Sequence, residues 1–269
     1  MPGTRLDKPG QGDLFVTTES ASFQDGGDST GPALLAIDTT GSACSVAAGH
    51  GTAVIAAERQ ALRYGHAEAL LPMIERVVQA AGLLPTALDG VAVAVGPGGF
   101  TGIRVGLGAA HGITLALRAR LIGVTSFAAV VAGLAEAASP AGTPGALLVA
   151  LDSRRDDLYV QLFDSATAEP FTAPAAVLPE ALADYVAGPA GDVPLLIAGD
   201  LADAAAAVLR GHFDIVIAAG SAPDARGVLA AALRQIERDP AGSPARPLYL
   251  RPPDVTLPKR RGPVPAALR

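Results

Sequence analysis

Residues 33–49, ALLAIDTTGSACSVAAG, and residues 146–164, ALLVALDSRRDDLYVQLFD, share one shape. Each is an apolar run ending in Asp, then a polar turn, then a second β-rich run, so Asp38 and Asp152 stand at equivalent places. Outward from the first stretch, the run that follows the turn at 50–52 completes a three-strand meander. Residues 66–82, HAEALLPMIERVVQAAG, have apolar positions at helical spacing and end at Gly82. GVAVAVG (90–96) reads as a buried strand, TGIRVGLGAAHGITLALRA (101–119) as a helix with Thr101 as its N-cap, and RLIGVTS (120–126) as another strand. A further helix runs into SPAGTPG (139–145), the best domain boundary in the chain.

The same programme then restarts. A third strand is expected near 168–172, followed by helix 178–187, strand 193–198, helix 200–210, strand 213–218 and helix 223–238. Both halves read β-β-β-α-β-α-β-α, an internal duplication; two unrelated α/β units that share an order are the alternative. The expected fold is therefore α/β and duplicated, with two lobes like the actin/Hsp70/sugar-kinase ATPases (ASKHA, ribonuclease H-like). The first lobe is expected over 33–140 and the second over 146–252. Such lobes hold a nucleotide between them, because ligands in open α/β sheets sit at the carboxyl ends of the strands.

Composition narrows the function. Of 269 residues, half are hydrophobic and 4% aromatic with no Trp, so the core is built from Ala, Val, Leu and Ile. A net charge of -6 is a poor basis for gripping a polyanion unaided. Cys44 is the single cysteine, which rules out an internal disulfide and a cysteine-based zinc site and fits a reducing cytoplasm. No apolar run reaches membrane-spanning length without interruption. Residues 1–32 lack the apolar stretch of a signal peptide and read as a disordered extension. Their G-x-S-x-G string at Gly27–Gly31 lacks the strand and helix that a hydrolase nucleophile needs.

The nucleotide site reads as incomplete. In the first turn Asp38 would position Mg²⁺ through water while Thr39, Thr40 and Ser42 offer donors to phosphate; Gly98 and Gly99 of the GPGGF turn could add N–H groups. The second turn, DSRRDD, has no glycine, and Arg154 and Arg155 crowd it. The expected adenosine turn, IAGDLADAA, has one Gly and then an Asp. No Gly-Lys pair occurs, so there is no P-loop, and Gly96, Gly98 and Gly102 miss the dinucleotide spacing. Tight ATP binding by this chain is not expected. Nor is a metal: none of His50, His66, His111 and His212 pairs at helical ligand spacing, and His66 and His111 read as structural.

The helices suggest a partner. Gly106, Gly108 and Gly112 each cost roughly 1 kcal/mol against Ala inside a helix, an expense that close approach of another backbone offsets; Gly102 and Gly106 read as a smooth stripe for it. On the preceding helix, residues including Ala69, Leu70, Met73, Ile74 and Val77 form an apolar arc wider than one core-facing stripe needs. Met73 is expected toward the edge of that arc, so Leu70→Glu or Met73→Glu should weaken pairing. The same arc would also serve a homodimer.

LLAIDTTGSACSVA, HAEALLPMI, VAVGPGGFTGIRVGLGAAHGI and PLYLRPPD are similar to the TsaB (YeaZ-like) family of bacterial tRNA threonylcarbamoyladenosine biosynthesis proteins, once labelled glycoproteases; the likeness spans residues 34–253. The resemblance implies a cytoplasmic, non-catalytic scaffold that pairs with its catalytic paralogue TsaD through helices of the first lobe, with TsaE docking on the pair. The complex, which uses ATP and Mg, modifies N6 of adenosine 37 in tRNAs that read codons starting with A. The paralogue carries a metal-binding histidine pair in the helix where this chain has His66 and then Leu70. By resemblance the partner surface would use His66, Ala69, Leu70, Met73, Ile74, Val77, Gly102 and Gly106, with no catalytic residue and no metal in this chain. The rivals are an independent ATPase or small-molecule kinase of the same fold, and a peptidase. The basic tail, residues 253–269, could touch tRNA or TsaE but reads more simply as solvated.

Overall fold

A computed structural model describes residues 15–17, 31–136, 145–191, 193–218, 221–239 and 245–251. The first lobe holds the meander β2 (Ala33–Asp38), β3 (Ala43–His50) and β4 (Ala53–Ala61), followed by α1 (His66–Ala80), β5 (Gly90–Ala94), α2 (Phe100–Leu117), β6 (Arg120–Val124) and α3 (Ser126–Glu136). The second repeats it: β7 (Ala146–Asp152), β8 (Leu158–Asp164), β9 (Ala175–Val177), α4 (Leu182–Ala190), β10 (Leu195–Ala198), α5 (Ala202–Leu209), β11 (Ile215–Ile217) and α6 (Ala225–Arg238). The five strands of each repeat run in the order β4-β3-β2-β5-β6 and β9-β8-β7-β10-β11, and the first sheet has a sixth strand, residues 15–17, at its β4 edge. Both repeats place the Asp-terminated strand at the centre with two antiparallel neighbours on one side and two parallel strands on the other. That shared order is the duplication expected from the two opening stretches.

β1 (Phe15–Thr17) pairs antiparallel with β4, beside residues 57–59. It falls in the segment expected to be disordered; the rest of residues 1–30 lies outside the described residues, as does the tail beyond Arg251. Other boundaries move for local reasons. The third strand of the second lobe is at 175–177 rather than near 168–172, because Asp164 caps a tight turn, accepting from the N–H groups of Ala166 and Thr167. α2 begins at Phe100 with Gly99 as N-cap, not Thr101, and no side chain caps it. α2 is also long and apolar enough to cross a membrane, which the sequence reading had not expected of any segment; here it lies on the first sheet with 33% of its residues buried.

The layers cross the lobe boundary. α1 and α2 cover one face of the first sheet, burying Leu70, Met73, Val77, Ile103 and Leu107 against Leu35, Ile37 and Val93. α4 and α5 cover the outer face of the second sheet. Between the sheets lie α3 and α6, and they are exchanged: α6 packs Val228, Leu229 and Leu233 on the first sheet, while α3 sends Phe127, Val130 and Val131 to the second. The two helices touch closely enough that a Cβ on Gly227 would stand 2.2 Å from the Ala129 carbonyl oxygen. Each buried Leu or Phe here contributes about 1.5–3 kcal/mol, so the exchange ties the lobes into one folding unit.

Candidate functional site

The GPGG turn and the first residues of α2 close over the first polar turn. Thr39 Oγ1 donates to the Gly102 carbonyl at 2.7 Å, and the Gly99 N–H donates to the Thr40 carbonyl at 2.8 Å. A Cβ on Gly102 would stand 2.0 Å from Thr39 O; one on Gly98, 2.5 Å from Thr40 O; one on Gly106, 2.6 Å from Thr39 Oγ1. Gly102 and Gly106 are thus not a stripe for an outside helix. They let α2 descend onto the turn that carries Asp38.

Asp38 itself is buried. Its Oδ1 accepts from the N–H and Oγ1 of Thr40 at 2.8 and 2.7 Å, and Thr40 Oγ1 lies 3.1 Å from Ser126 Oγ. Burial raises the Asp38 carboxyl above its usual range against the lowering effect of the two Thr40 bonds, and Asp224 adds to the rise. Ser42 is exposed, and its carbonyl takes the Leu62 N–H. Of the donors expected to face a phosphate here, the N–H groups of Thr40 and Gly99 point at protein oxygens instead.

The second turn is closed by its own side chains. Asp152 Oδ1 accepts the Arg154 N–H at 2.7 Å, and Arg154 Nε lies 3.4 Å from Asp152 Oδ2. Asp200, where the adenosine turn was expected, accepts the Asp152 N–H at 3.0 Å. Ser153 Oγ bonds Asp157, whose buried carboxylate also pairs with Arg251 from the C-terminal segment. Among the described residues no group of three or more His, Cys, Asp or Glu could hold a metal ion.

Asp38 yields a test. Its folded-state pKa is raised, so its protonated form stabilises the fold below the unfolded value near 3.9, and that contribution is lost as pH rises through the folded value. Asn at this position keeps an acceptor for both Thr40 bonds and has no proton to lose. Asp38→Asn should therefore gain stability relative to wild type between pH 4 and pH 8, read by urea unfolding at both. A constant difference across that range would contradict the buried, self-satisfied carboxyl.

The expected partner residues divide. Leu70, Met73 and Val77 are core residues, at 1%, 0% and 2% exposure, because α1 lies tight on β3 and β4 and its Arg76 fork grips buried Glu58 at 2.6 and 2.9 Å. Met73→Glu would bury a charge in the lobe rather than probe an interface. Ala69, Ile74 and His66 are half-buried, and the His66 Nε2 is buried without a hydrogen-bond partner. His111, read as a packing residue, is exposed.

Among the residues that face outward on the two adjacent helices are Leu71 (60% exposed) on α1, beside the charged Glu68, Glu75 and Arg76, and Gly108, His111, Gly112 and Leu115 (84%) on α2. A Cβ on Gly108 or Gly112 would meet nothing within 4 Å. The helical period counted all apolar positions of α1 alike. The sharper signal was Gly108, Gly112 and Leu115 together, an i, i+4, i+7 row on one side of α2.

These features define a class: a duplicated two-lobe α/β fold in which the Thr40 and Gly99 N–H groups and the Asp152 turn are bonded within the protein. A family model described as TsaD, tRNA N6-adenosine threonylcarbamoyltransferase, matches residues 59–237, more than half of the chain, and the chain belongs to that family. Within it the chain is TsaB/YeaZ-like. It is 32% identical to the tRNA threonylcarbamoyladenosine biosynthesis protein TsaB of Escherichia coli K12 over 126 residues, 47% of this chain and 52% of that protein. It thus spans about half the length of the TsaB relatives it matches. An uncharacterized protein of Mycobacterium tuberculosis H37Rv is 31% identical over 82% of this chain and 93% of its own. The solved YeaZ structure from Pseudomonas aeruginosa superposes with a TM-score of 0.69 at 27% identity, covering 81% of this chain and all of that one.

Proposed function

We propose that this chain is a non-catalytic scaffold subunit. It pairs with the catalytic paralogue TsaD, TsaE joins the pair, and the complex threonylcarbamoylates N6 of adenosine 37 in tRNA. The observation that carries this reading is the outward row Gly108, Gly112 and Leu115 on α2, with Leu71 exposed on the neighbouring α1. Each of those glycines costs the isolated helix roughly 1 kcal/mol against Ala, and nothing among the described residues stands within 4 Å of where their Cβ would be to offset it. A partner helix whose backbone comes close would do so, with the leucines filling its flanks. The internally bonded turns support the non-catalytic half: ATP and Mg then act on other subunits, and the chain needs no cofactor of its own. The chain would act beside tRNA in the cytoplasm. A second copy could use the same row, so a homodimer of the isolated chain would compete with TsaD for it.

Titration of the chain against TsaD, followed by sedimentation, tests the pairing. A one-to-one pair that displaces any homodimer is expected. A homodimer that persists in excess TsaD would transfer the row to self-association and remove the scaffold reading.

A further inference from the structure

An opening remains between the lobes, where the GPGG turn faces the turn after β7. It has a volume of about 610 Å³ and is bounded by the GPGGF turn, the turn after β7 and the C-terminal segment 248–251. Among the described residues its wall carries Arg104, Arg154, Arg155 and Arg251 and no carboxylate, in a chain where acids outnumber bases 26 to 20. Two exposed rings stand at its rim: Phe100 (40%) and Tyr249 (37%), with centroids 5.2 Å apart. The Arg104 guanidinium lies 3.7 Å over the Phe100 ring, its Nε donates to Tyr249 Oη at 3.2 Å, and the two rings are tilted 34° to each other, so ring and cation are held as one stacked platform.

Some of this charge is neutralised from behind. Asp157 pairs with Arg251 and Asp152 with Arg154, Arg155 too has a contact within the protein, and Asp156 in the same turn is exposed off the wall. Arg104, by contrast, is turned to solvent beside its ring. The described chain leaves the cleft at Arg251, and the sequence beyond it carries Lys259, Arg260, Arg261 and Arg269 against Asp254 alone.

We propose that this interlobe cleft contacts RNA, taking an unpaired segment with its phosphates on the arginines and a base against the Phe100–Tyr249–Arg104 platform. Unpaired RNA is recognised by this combination, since every base offers a face to an aromatic ring or guanidinium plane while cations follow the backbone. A duplex cannot present its bases to the platform. The inference rests on the scaffold reading only for the identity of the RNA as the complex's tRNA. It assigns to this chain a direct contact that a pure scaffold does not need.

The test is fluorescence anisotropy of a labelled RNA stem-loop and of a fully paired duplex of equal length, with the full chain at 50 and 200 mM salt. The stem-loop is expected to bind with a Kd below about 100 µM at the lower salt, the weak end of electrostatic nucleic-acid binding, and tighter than the duplex. Arg104→Glu with Arg155→Glu should weaken stem-loop binding at least tenfold. It should also flatten the dependence of log K on log salt by about 1.4, two contacts at roughly 0.7 each. Phe100→Ala should remove the preference for the stem-loop while leaving the salt dependence. Arg238→Glu, at a residue that pairs with Glu169 and does not line the cleft, should leave RNA binding unchanged.

No stem-loop binding by wild type at 50 mM salt would overturn the inference. So would loss of binding only on changing Lys259, Arg260 and Arg261 to Ala, which would place the contact in the tail. Pairing with TsaD is measured on the same Arg104/Arg155 variant. Intact pairing with lost RNA binding supports the cleft contact, and intact pairing with unchanged RNA binding removes it while the scaffold reading stands.

Discussion

Gly102→Ala is expected to cost about 3 kcal/mol or more, the upper range for forcing extra atoms into a packed site, and to lower the unfolding temperature by roughly 10 °C in a chain of this size. The added Cβ would stand 2.0 Å from the Thr39 carbonyl oxygen, a backbone atom that moves only with the Asp38 turn. Thr39 Oγ1 donates to the Gly102 carbonyl, so lifting α2 to relieve the clash also breaks that bond. Gly108→Ala, six residues on in the same helix, has the opposite sign. Its Cβ meets nothing and only helix propensity changes, so the isolated chain should gain about 0.5–1 kcal/mol. Thermal unfolding of the two variants side by side checks both. Equal effects would mean that the glycines of α2 serve one common purpose, contrary to the division drawn between its inner and outer rows.

Pairing reverses the ranking of Gly108. If a TsaD helix approaches the outer row, Gly108→Ala stabilises the free chain and weakens the complex. Leu115→Glu is the stronger probe. Leu115 is 84% exposed, so the change costs the isolated fold little. At a buried interface it would remove a side chain worth about 1.5–3 kcal/mol and desolvate a charge besides. The Kd for TsaD should rise at least about 100-fold, the equivalent of roughly 2.8 kcal/mol. Titration calorimetry on the folded variant measures it; an unchanged Kd would move the interface off this face.

The duplication was legible because strand, Asp and turn recur in the same order, and pattern alone fixes order. What it could not carry was the exchange of α3 and α6. Both helices are apolar on more than one side, and a hydrophobic period does not say which sheet a helix will meet. Met73 failed as an interface residue for a related reason. The arc of α1 is wide, but its centre is spent on β3 and β4 through Leu70, Met73 and Val77, and only the flank at Leu71 remains. For the glycines, sequence showed that something must approach closely. Only coordinates show that it is Thr39 and Thr40 for Gly98, Gly102 and Gly106, and nothing among the described residues for Gly108 and Gly112. The cleft platform joins Phe100 and Arg104 to Tyr249 and Arg251 across the length of the chain, and no local pattern announces such a meeting.

The measurement closest to the central claim is threonylcarbamoyladenosine formation on unmodified tRNA. TsaD, TsaE, the carbamoyl-adenylate synthase, ATP, threonine and bicarbonate would be mixed with wild-type chain, Asp38→Asn, Leu115→Glu or no chain. The scaffold account predicts product with wild type and Asp38→Asn, and little with Leu115→Glu or with the chain omitted. Product lost with Asp38→Asn but retained with Leu115→Glu would contradict it, and would place the chain's contribution at the Asp38 turn rather than on its outward helices.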